Sequence, residues 1–250
     1  MNLFDLTGKR ALVTGARTGL GQGLALALAR AGADIVALGS RPMPDTKAKV
    51  EALGRRFEEV IHDLADPSGL ADVVTGLTAS GNIDILVNNA GQIRRADFTA
   101  FSEQDWDDVM NINLKSTFVL SQAVVRHMLD KGIAGRIVNI ASLLSFQGGI
   151  RVASYTSSKH AVAGLTKLMA NELAPKGITV NAIAPGYMDT DNTEALRNDP
   201  DRSRSILERI PVGRWGDTSD LDTAVLFLTS PASGYVTGQV LAVDGGWLAR

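Results

Sequence analysis

Short apolar runs recur along the chain with room for one helix between successive pairs, and this alternation limits the fold more than any other feature. RALVT at 10–14, DIVALG at 34–39, EEVIH at 58–62 and IDILVN at 83–88 are followed by GRIVNIAS, GITVNAIAP and QVLAVDGG. Between them GLGQGLALALARAG, DPSGLADVVTGL, SEQDWDDVMNINLKSTFVLSQAVVRHML and SKHAVAGLTKLMANELA carry apolar residues at helical spacing. Strands apolar along almost their whole length are buried on both faces. Right-handed crossovers then arrange them as a doubly wound parallel sheet of about seven strands, an α/β class fold of Rossmann type. With 250 residues and no internal repeat or linker, the expectation is one domain over 1–250. One polar, charged segment interrupts the rhythm late in the chain, at 186–210, and is expected to form a lid over a substrate pocket.

Composition removes several function classes. A net charge of −2 provides no footprint for nucleic acid, and there are no cysteines for disulfides or a thiolate zinc site. The three histidines, His62, His127 and His160, are scattered without metal-ligand spacing, so no metal is expected. No stretch approaches eighteen uninterrupted apolar residues and the first residues contain no apolar signal core, which leads to the expectation of a cytoplasmic protein with no membrane partner.

The first crossover carries the first chemical signal. ALVTGARTGLGQGLALALARAGADIVALG, 11–39, reads as strand, glycine-rich turn, amphipathic helix and second strand. Gly15, Gly19 and Gly21 allow a sharp turn and close backbone approach, while the helix beginning near Leu20 aims free amides and its positive dipole end at a phosphate. Arg17 and Thr18 lie within that turn. An acid ending the second strand would accept the adenosine ribose hydroxyls and repel a 2′-phosphate, but here the residue is Gly39, followed by Ser40 and Arg41. A hydroxyl and a cation suit a 2′-phosphate, so NAD and NADP both stand. Asp63, with Leu64 after it, ends the third strand and is placed to bond the adenine amino group.

A second signal is ASYTSSKHA, where Tyr155 and Lys159 lie one helical turn apart among small residues. A phenol near pKa 10 is a weak base at neutral pH, and a neighbouring cation favours its ionised form. The pair suits proton transfer to and from an alcohol.

Taken together these motifs resemble the short-chain dehydrogenase/reductase family over essentially the whole chain. Its TGxxxGxG pattern is present from Thr14 to Gly21, NNAG as Asn88, Asn89, Ala90 and Gly91, the tyrosine–lysine pair as Tyr155 and Lys159, and PGxxxT from Pro185 through Gly186 and Met188 to Thr190. The resemblance implies Ser142, thirteen residues before the tyrosine, as the side chain bonding the reacting oxygen, and Asn113 as the anchor of a proton-relay water. It further implies that Lys159 holds the nicotinamide ribose, and that the chain forms a homotetramer. IRRADF, LLSFQGGIRV, IAPGYM, IPVGRWG and VDGGWLAR are similar to bacterial members acting on deoxy sugar acids, which implies 2-deoxy-D-gluconate or 2-keto-3-deoxy-D-gluconate as substrate, with NAD as the usual cofactor. Gluconate and a 3-oxoacyl thioester are the alternatives within the family. Nucleotide-sugar epimerases, which resemble longer chains with TGxxGxxG, fit less well, as does a regulator lacking one of the four catalytic positions.

A sugar acid presents a carboxylate and several hydroxyls, for which arginine and amide groups are needed. Arg94, following NNAG, Gln147 and Arg151, between Ser142 and Tyr155, and Tyr187 and Asn192, from the lid, are the expected substrate contacts.

Overall fold

The computed structural model describes residues 3–250, with Asn192 described by its backbone alone. Seven parallel strands form one sheet in the order β3-β2-β1-β4-β5-β6-β7. They are β1 (Arg10–Thr14), β2 (Asp34–Gly39), β3 (Phe57–Ile61), β4 (Ile85–Asn88), β5 (Arg136–Ile140), β6 (Thr179–Pro185) and β7 (Val240–Val243). The helices are α1 (Gly19–Arg30), α2 (Pro44–Ala52), α3 (Leu70–Ala79), α4 (Glu103–Met110), α5 (Ser116–Asp130), α6 (Ala153–Leu173), α7 (Glu194–Arg197), α8 (Pro200–Leu207) and α9 (Asp222–Thr229). Strand order reverses between β1 and β4, which pair directly, so their carboxyl ends open the crevice where such sheets bind ligands.

The side-chain alternation of each strand explains the unbroken apolar runs. Ala11, Val13, Ile35 and Ala37 join Leu24, Leu28 and Val225 in one core beneath α1 and α9, whereas Leu12, Val36 and Leu38 join Leu120, Val124 and Leu173 in the other, beneath α5 and α6. Truncating a strand leucine such as Leu12 to alanine would cost about 2 to 5 kcal/mol. Polar residues interrupt the second core in one place. Asn88 Nδ2 donates to Ser121 Oγ (2.9 Å) and to Asn139 Oδ1 (2.8 Å), and Asn139 Nδ2 donates to Thr166 Oγ1 (2.9 Å), tying β4, β5, α5 and α6 together behind the crevice.

The structure departs from sequence expectation in two elements. Helix α2, begun by Pro44 at its first turn, was not anticipated: its apolar side chains are too few to give a helical stripe. The long helix expected from Ser102 to Leu129 is two helices joined by a π-helical turn at Asn111–Lys115. Such a turn breaks the side-chain period without any glycine or proline to mark it, and these turns gather at functional sites. Among the described residues no helix is long and apolar enough to cross a membrane, and no group of three or more His, Asp or Glu could hold a metal ion.

Candidate active site

At the end of β1 the backbone turns under Gly15 (φ +67°), whose N–H donates to Leu38 O at 2.8 Å, and re-enters helix at Gly19 (φ +56°). A Cβ on Gly21 would lie 2.2 Å from Gly15 O and 2.4 Å from Asn89 Nδ2, so no larger residue fits there. Thr18 precedes α1 in extended conformation without capping the helix through its side chain, and no acidic residue stands in the first turn. The amides of that turn therefore have no acidic side chain of the helix's first turn beside them. This fits a pyrophosphate, the reading carried by the glycines. The neighbouring NNAG segment is locked to β1, because Thr14 Oγ1 accepts from both Asn89 N (3.0 Å) and Ala90 N (2.9 Å), and Asn89 Nδ2 donates to Thr14 O (2.9 Å).

At the adenosine end, β2 runs out at Gly39, and Ser40, Arg41 and Arg17 are exposed beyond it. Thr46 Oγ1 donates to Ala16 O at 2.8 Å, so α2, the helix that follows Arg41, is fastened to the turn that carries Arg17. Asp63 is exposed, its Oδ1 accepting from Ala65 N at 3.0 Å, and Leu64 is buried beside it. At the far end, a Cβ on Gly186 would meet Asp244 Cα at 2.6 Å, which explains a glycine after Pro185. Thr190 lies against the phosphate turn, 3.8 Å from where a Gly19 Cβ would stand, and Met188 is buried between.

The four candidate catalytic residues lie beyond the carboxyl ends of β4 and β5, in the interior of the sheet order. Ser142 follows β5, Tyr155 and Lys159 occupy the first two turns of α6, and the Ser142 side chain acts on the Tyr155 phenol, favouring its ionised form. Lys159 is buried, its Nζ 5.5 Å from the centre of the Tyr155 ring and donating to Ile140 O at 2.6 Å. Asn113 projects from the π-helical turn. Its Oδ1 accepts from Gln92 N (2.8 Å), and its Nδ2 donates to Gln92 O (3.0 Å) and Ser158 Oγ (3.2 Å), joining the segment after NNAG to α6.

Electrostatics here differ from the simple expectation that Lys159 keeps the phenol acidic. Burial pushes the Tyr155 phenol up, opposed by the Ser142 hydrogen bond and the Arg95 charge. Burial equally pulls the Lys159 ammonium down, to about 8. Desolvation disfavours both charged forms, and in this state the tyrosine is a neutral proton donor.

The expected substrate contacts divide. Gln147 is half-buried in the loop leading to Arg151. Arg94 instead pairs with Asp105 (3.2 Å) and Asp108 (3.8 Å) of α4, and Arg151 with Asp97 (2.9 Å), because exposed guanidinium groups settle on the nearest carboxylates. Tyr187 sits at the root of the 186–210 segment, its ring 4.7 Å from that of Trp247 and 5.6 Å from that of Trp215. This cluster, with Leu143, Ile206 and Ile210, holds the segment onto the carboxyl-terminal residues. The side chain of Asn192 lies outside those described. The charge of Arg95, the residue after Arg94, acts on the Tyr155 phenol.

Comparison with known proteins agrees with this geometry. Residues 15–248 match the family model described as enoyl-(acyl carrier protein) reductase. The 2-dehydro-3-deoxy-D-gluconate 5-dehydrogenase of Dickeya dadantii is 58% identical over 251 residues, covering 100% of this chain and 99% of the relative. An Agrobacterium tumefaciens structure described as a 2-deoxy-D-gluconate 3-dehydrogenase with bound NADP superposes with a TM-score of 0.95 at 56% identity, covering 100% of both chains. A Burkholderia cenocepacia gluconate 5-dehydrogenase in complex with NADP and tartrate gives a TM-score of 0.95 at 40% identity over 100% of this chain and 98% of that one. The glycine cradle, the Ser142–Tyr155–Lys159 cluster and these full-length matches place one conclusion beyond the geometry alone: the chain belongs to the short-chain dehydrogenase/reductase family.

Proposed function

We propose that the protein is an NAD(P)-dependent oxidoreductase that interconverts a secondary alcohol and a ketone on a deoxy sugar acid, 2-deoxy-D-gluconate or 2-keto-3-deoxy-D-gluconate. The observation that carries this reading is Tyr155 with Ser142 acting on its phenol and the buried Lys159 Nζ 5.5 Å from its ring centre, beside a glycine turn that opens helix α1. The nicotinamide, when bound, supplies or accepts the hydride. In reduction the neutral Tyr155 phenol gives its proton to the substrate oxygen, which Ser142 Oγ orients; in oxidation the ionised phenol takes that proton back. Lys159 anchors this end of the site and replenishes the proton, with Asn113 holding the path between α6 and the NNAG segment. Gly15, Gly19 and Gly21 form the pyrophosphate cradle, and Pro185, Gly186 and Thr190 flank the nicotinamide.

The absence of an acid at Gly39, with Ser40 and Arg41 beyond it, supports acceptance of NADP alongside NAD, in keeping with NADP in the Agrobacterium and Burkholderia structures. A sugar-acid substrate is supported by the name of the Dickeya relative and by the hydroxy acid in the Burkholderia complex. The 186–210 segment serves as the lid over that substrate. The assembly is a homotetramer, with Phe118 of α5 and Leu168 of α6, both about half exposed, among the apolar residues it covers.

The test is the change in nicotinamide absorbance with NAD or NADP and a panel of 2-deoxy-D-gluconate, 2-keto-3-deoxy-D-gluconate, gluconate and a 3-oxoacyl thioester. Turnover concentrated on the two deoxy sugar acids is expected. Turnover confined to gluconate or the thioester would retain the chemistry and overturn the substrate.

A further inference from the structure

Ser142 is held between two links, and both end on Lys159. Before it, the Lys159 ammonium donates at 2.6 Å to the carbonyl of Ile140, the last residue of β5. After it, Ser145 Oγ donates at 2.7 Å to the Lys159 backbone carbonyl, a buried bond across 14 residues of chain. Ser145 also reaches back to Ser142, since its N–H donates to Ser142 O at 2.9 Å. Ser142 Oγ accepts from Leu144 N at 3.2 Å, which engages the oxygen within the turn and leaves the hydroxyl proton to be donated elsewhere. The turn from Ser142 to Ser145 is thus a bracket between the end of β5 and the second turn of α6, and Ser145 is its bond to the helix. The two links differ in firmness. An ammonium on a flexible four-carbon stem rotates and exchanges partners, and Lys159 is also the group that replenishes the proton. The Ser145 hydroxyl has one rotatable bond between it and the main chain, and its acceptor is itself main chain.

We propose that Ser145 is a positioning residue for the reaction: its hydroxyl, bonded to the Lys159 carbonyl, sets the distance between Ser142 Oγ and the Tyr155 phenol. This rests on the reading of Ser142 and Tyr155 as the groups that orient and protonate the substrate oxygen. Ser142 follows a strand and Tyr155 opens a helix, so the regular geometry of neither element fixes their separation. The chain that joins them is exposed from Gly148 to Arg151 and contains two successive glycines, which makes it a weak spacer. Ser145 supplies the cross-link instead, one helical turn beyond Tyr155, to a carbonyl that moves with the phenol's own helix. Leu143, in the same turn, is buried in the cluster of Tyr187, Ile206, Ile210 and Trp247, which keeps the bracket from rotating about that bond. Without the Ser145 hydroxyl, Ser142 remains tied to α6 through the exchangeable lysine bond at Ile140, and the chemical step suffers while the glycine turn is untouched.

The experiment measures kcat, KM and NADPH affinity for wild type, Ser145→Ala, Ser145→Thr, Ser142→Ala and the double variant Ser142→Ala/Ser145→Ala, with the deoxy sugar acid that the wild type turns over fastest. Misplacing Ser142 is expected to lower kcat in Ser145→Ala by roughly 5- to 30-fold, with KM and the NADPH affinity read by fluorescence kept within about twofold. Ser145→Thr retains the donor and is expected to recover most of the loss. Because Ser145 acts through Ser142, removing its hydroxyl is expected to change the kcat of Ser142→Ala by less than about twofold. Thr229→Ala serves as the stability control. It deletes another buried hydroxyl bond, Thr229 Oγ1 to Val225 O at 2.7 Å, at the far end of the sheet, where the next residue, Ser230, accepts from Arg136 at the start of β5. Its Tm is expected to fall as in Ser145→Ala with kcat kept. Wild-type kcat in Ser145→Ala, or the same loss with and without the Ser142 hydroxyl, would overturn the proposal and leave the reading of the site standing. Wild-type kcat in Ser142→Ala would overturn that reading itself, and the proposal with it.

Discussion

Between Thr14 and Gly21 the backbone has almost no freedom, while around Arg94, Arg95 and Arg151 it is the side chains that select among partners. In the first region a single methyl group at Gly21 would collide with Gly15 O at 2.2 Å. In the second, a Cβ added at Gly148 meets nothing within 4 Å, and two exposed arginines, Arg94 and Arg151, pair with the carboxylates of Asp105, Asp108 and Asp97. Sterics fix the glycine turn; charge pairing shapes the region around Arg94 and Arg151.

That contrast can be broken by substitution, beginning with its strongest point. Gly21→Val should lower NADP affinity by roughly 10²- to 10³-fold, since the colliding atom is backbone and cannot move aside, whereas Gly148→Ala should leave it within about twofold. Fluorescence titration with NADPH measures both, and similar losses at the two positions would dissolve the distinction. Next in size is a stability effect at the buried lysine. The Lys159 ammonium is held down to about 8 in the fold against 10.5 in the unfolded chain, so between those values the unfolded state binds more protons and stability rises with pH. Relative to Lys159→Met, the wild type should gain about 2 to 3 kcal/mol between pH 7 and 10, read from urea unfolding midpoints; a constant difference would show that the ammonium is not desolvated.

Two smaller effects sharpen the picture. Arg41→Ala is expected to weaken NADP by about tenfold and leave NAD nearly unchanged, as loss of one charge-assisted contact to a 2′-phosphate would do. Equal changes would mean that the side chain lies in solvent. Arg209 lies over the Trp247 ring at 3.9 Å, fastening the end of the 186–210 segment to the carboxyl-terminal residues. Arg209→Ala should cost about 0.5 to 1 kcal/mol, seen as a small drop in Tm, with KM for the acid rising more than kcat falls.

How much of this could be read from the sequence follows the same division. The seven strands, the parallel order, the glycine turn and the positions of Asn113, Ser142, Tyr155 and Lys159 were legible, because each depends on periodicity, a steric requirement or a short fixed spacing. The π-helical turn that aims Asn113 was not, since nothing in NINLK distinguishes it from ordinary helix. Nor was the balance at Tyr155, where burial of the phenol outweighs the neighbouring positive charge. The pairing of Arg94 required knowing that Asp105 and Asp108 of α4 stand opposite it.

The central claim is that Tyr155 moves the proton while the cradle holds the cofactor independently of it. Its most direct test is Tyr155→Phe, with turnover and NADPH affinity measured on the same preparation. Turnover reduced by roughly 10²- to 10⁴-fold with cofactor affinity unchanged is the expected result. Turnover within a few-fold of wild type would remove Tyr155 from the chemistry and contradict the account.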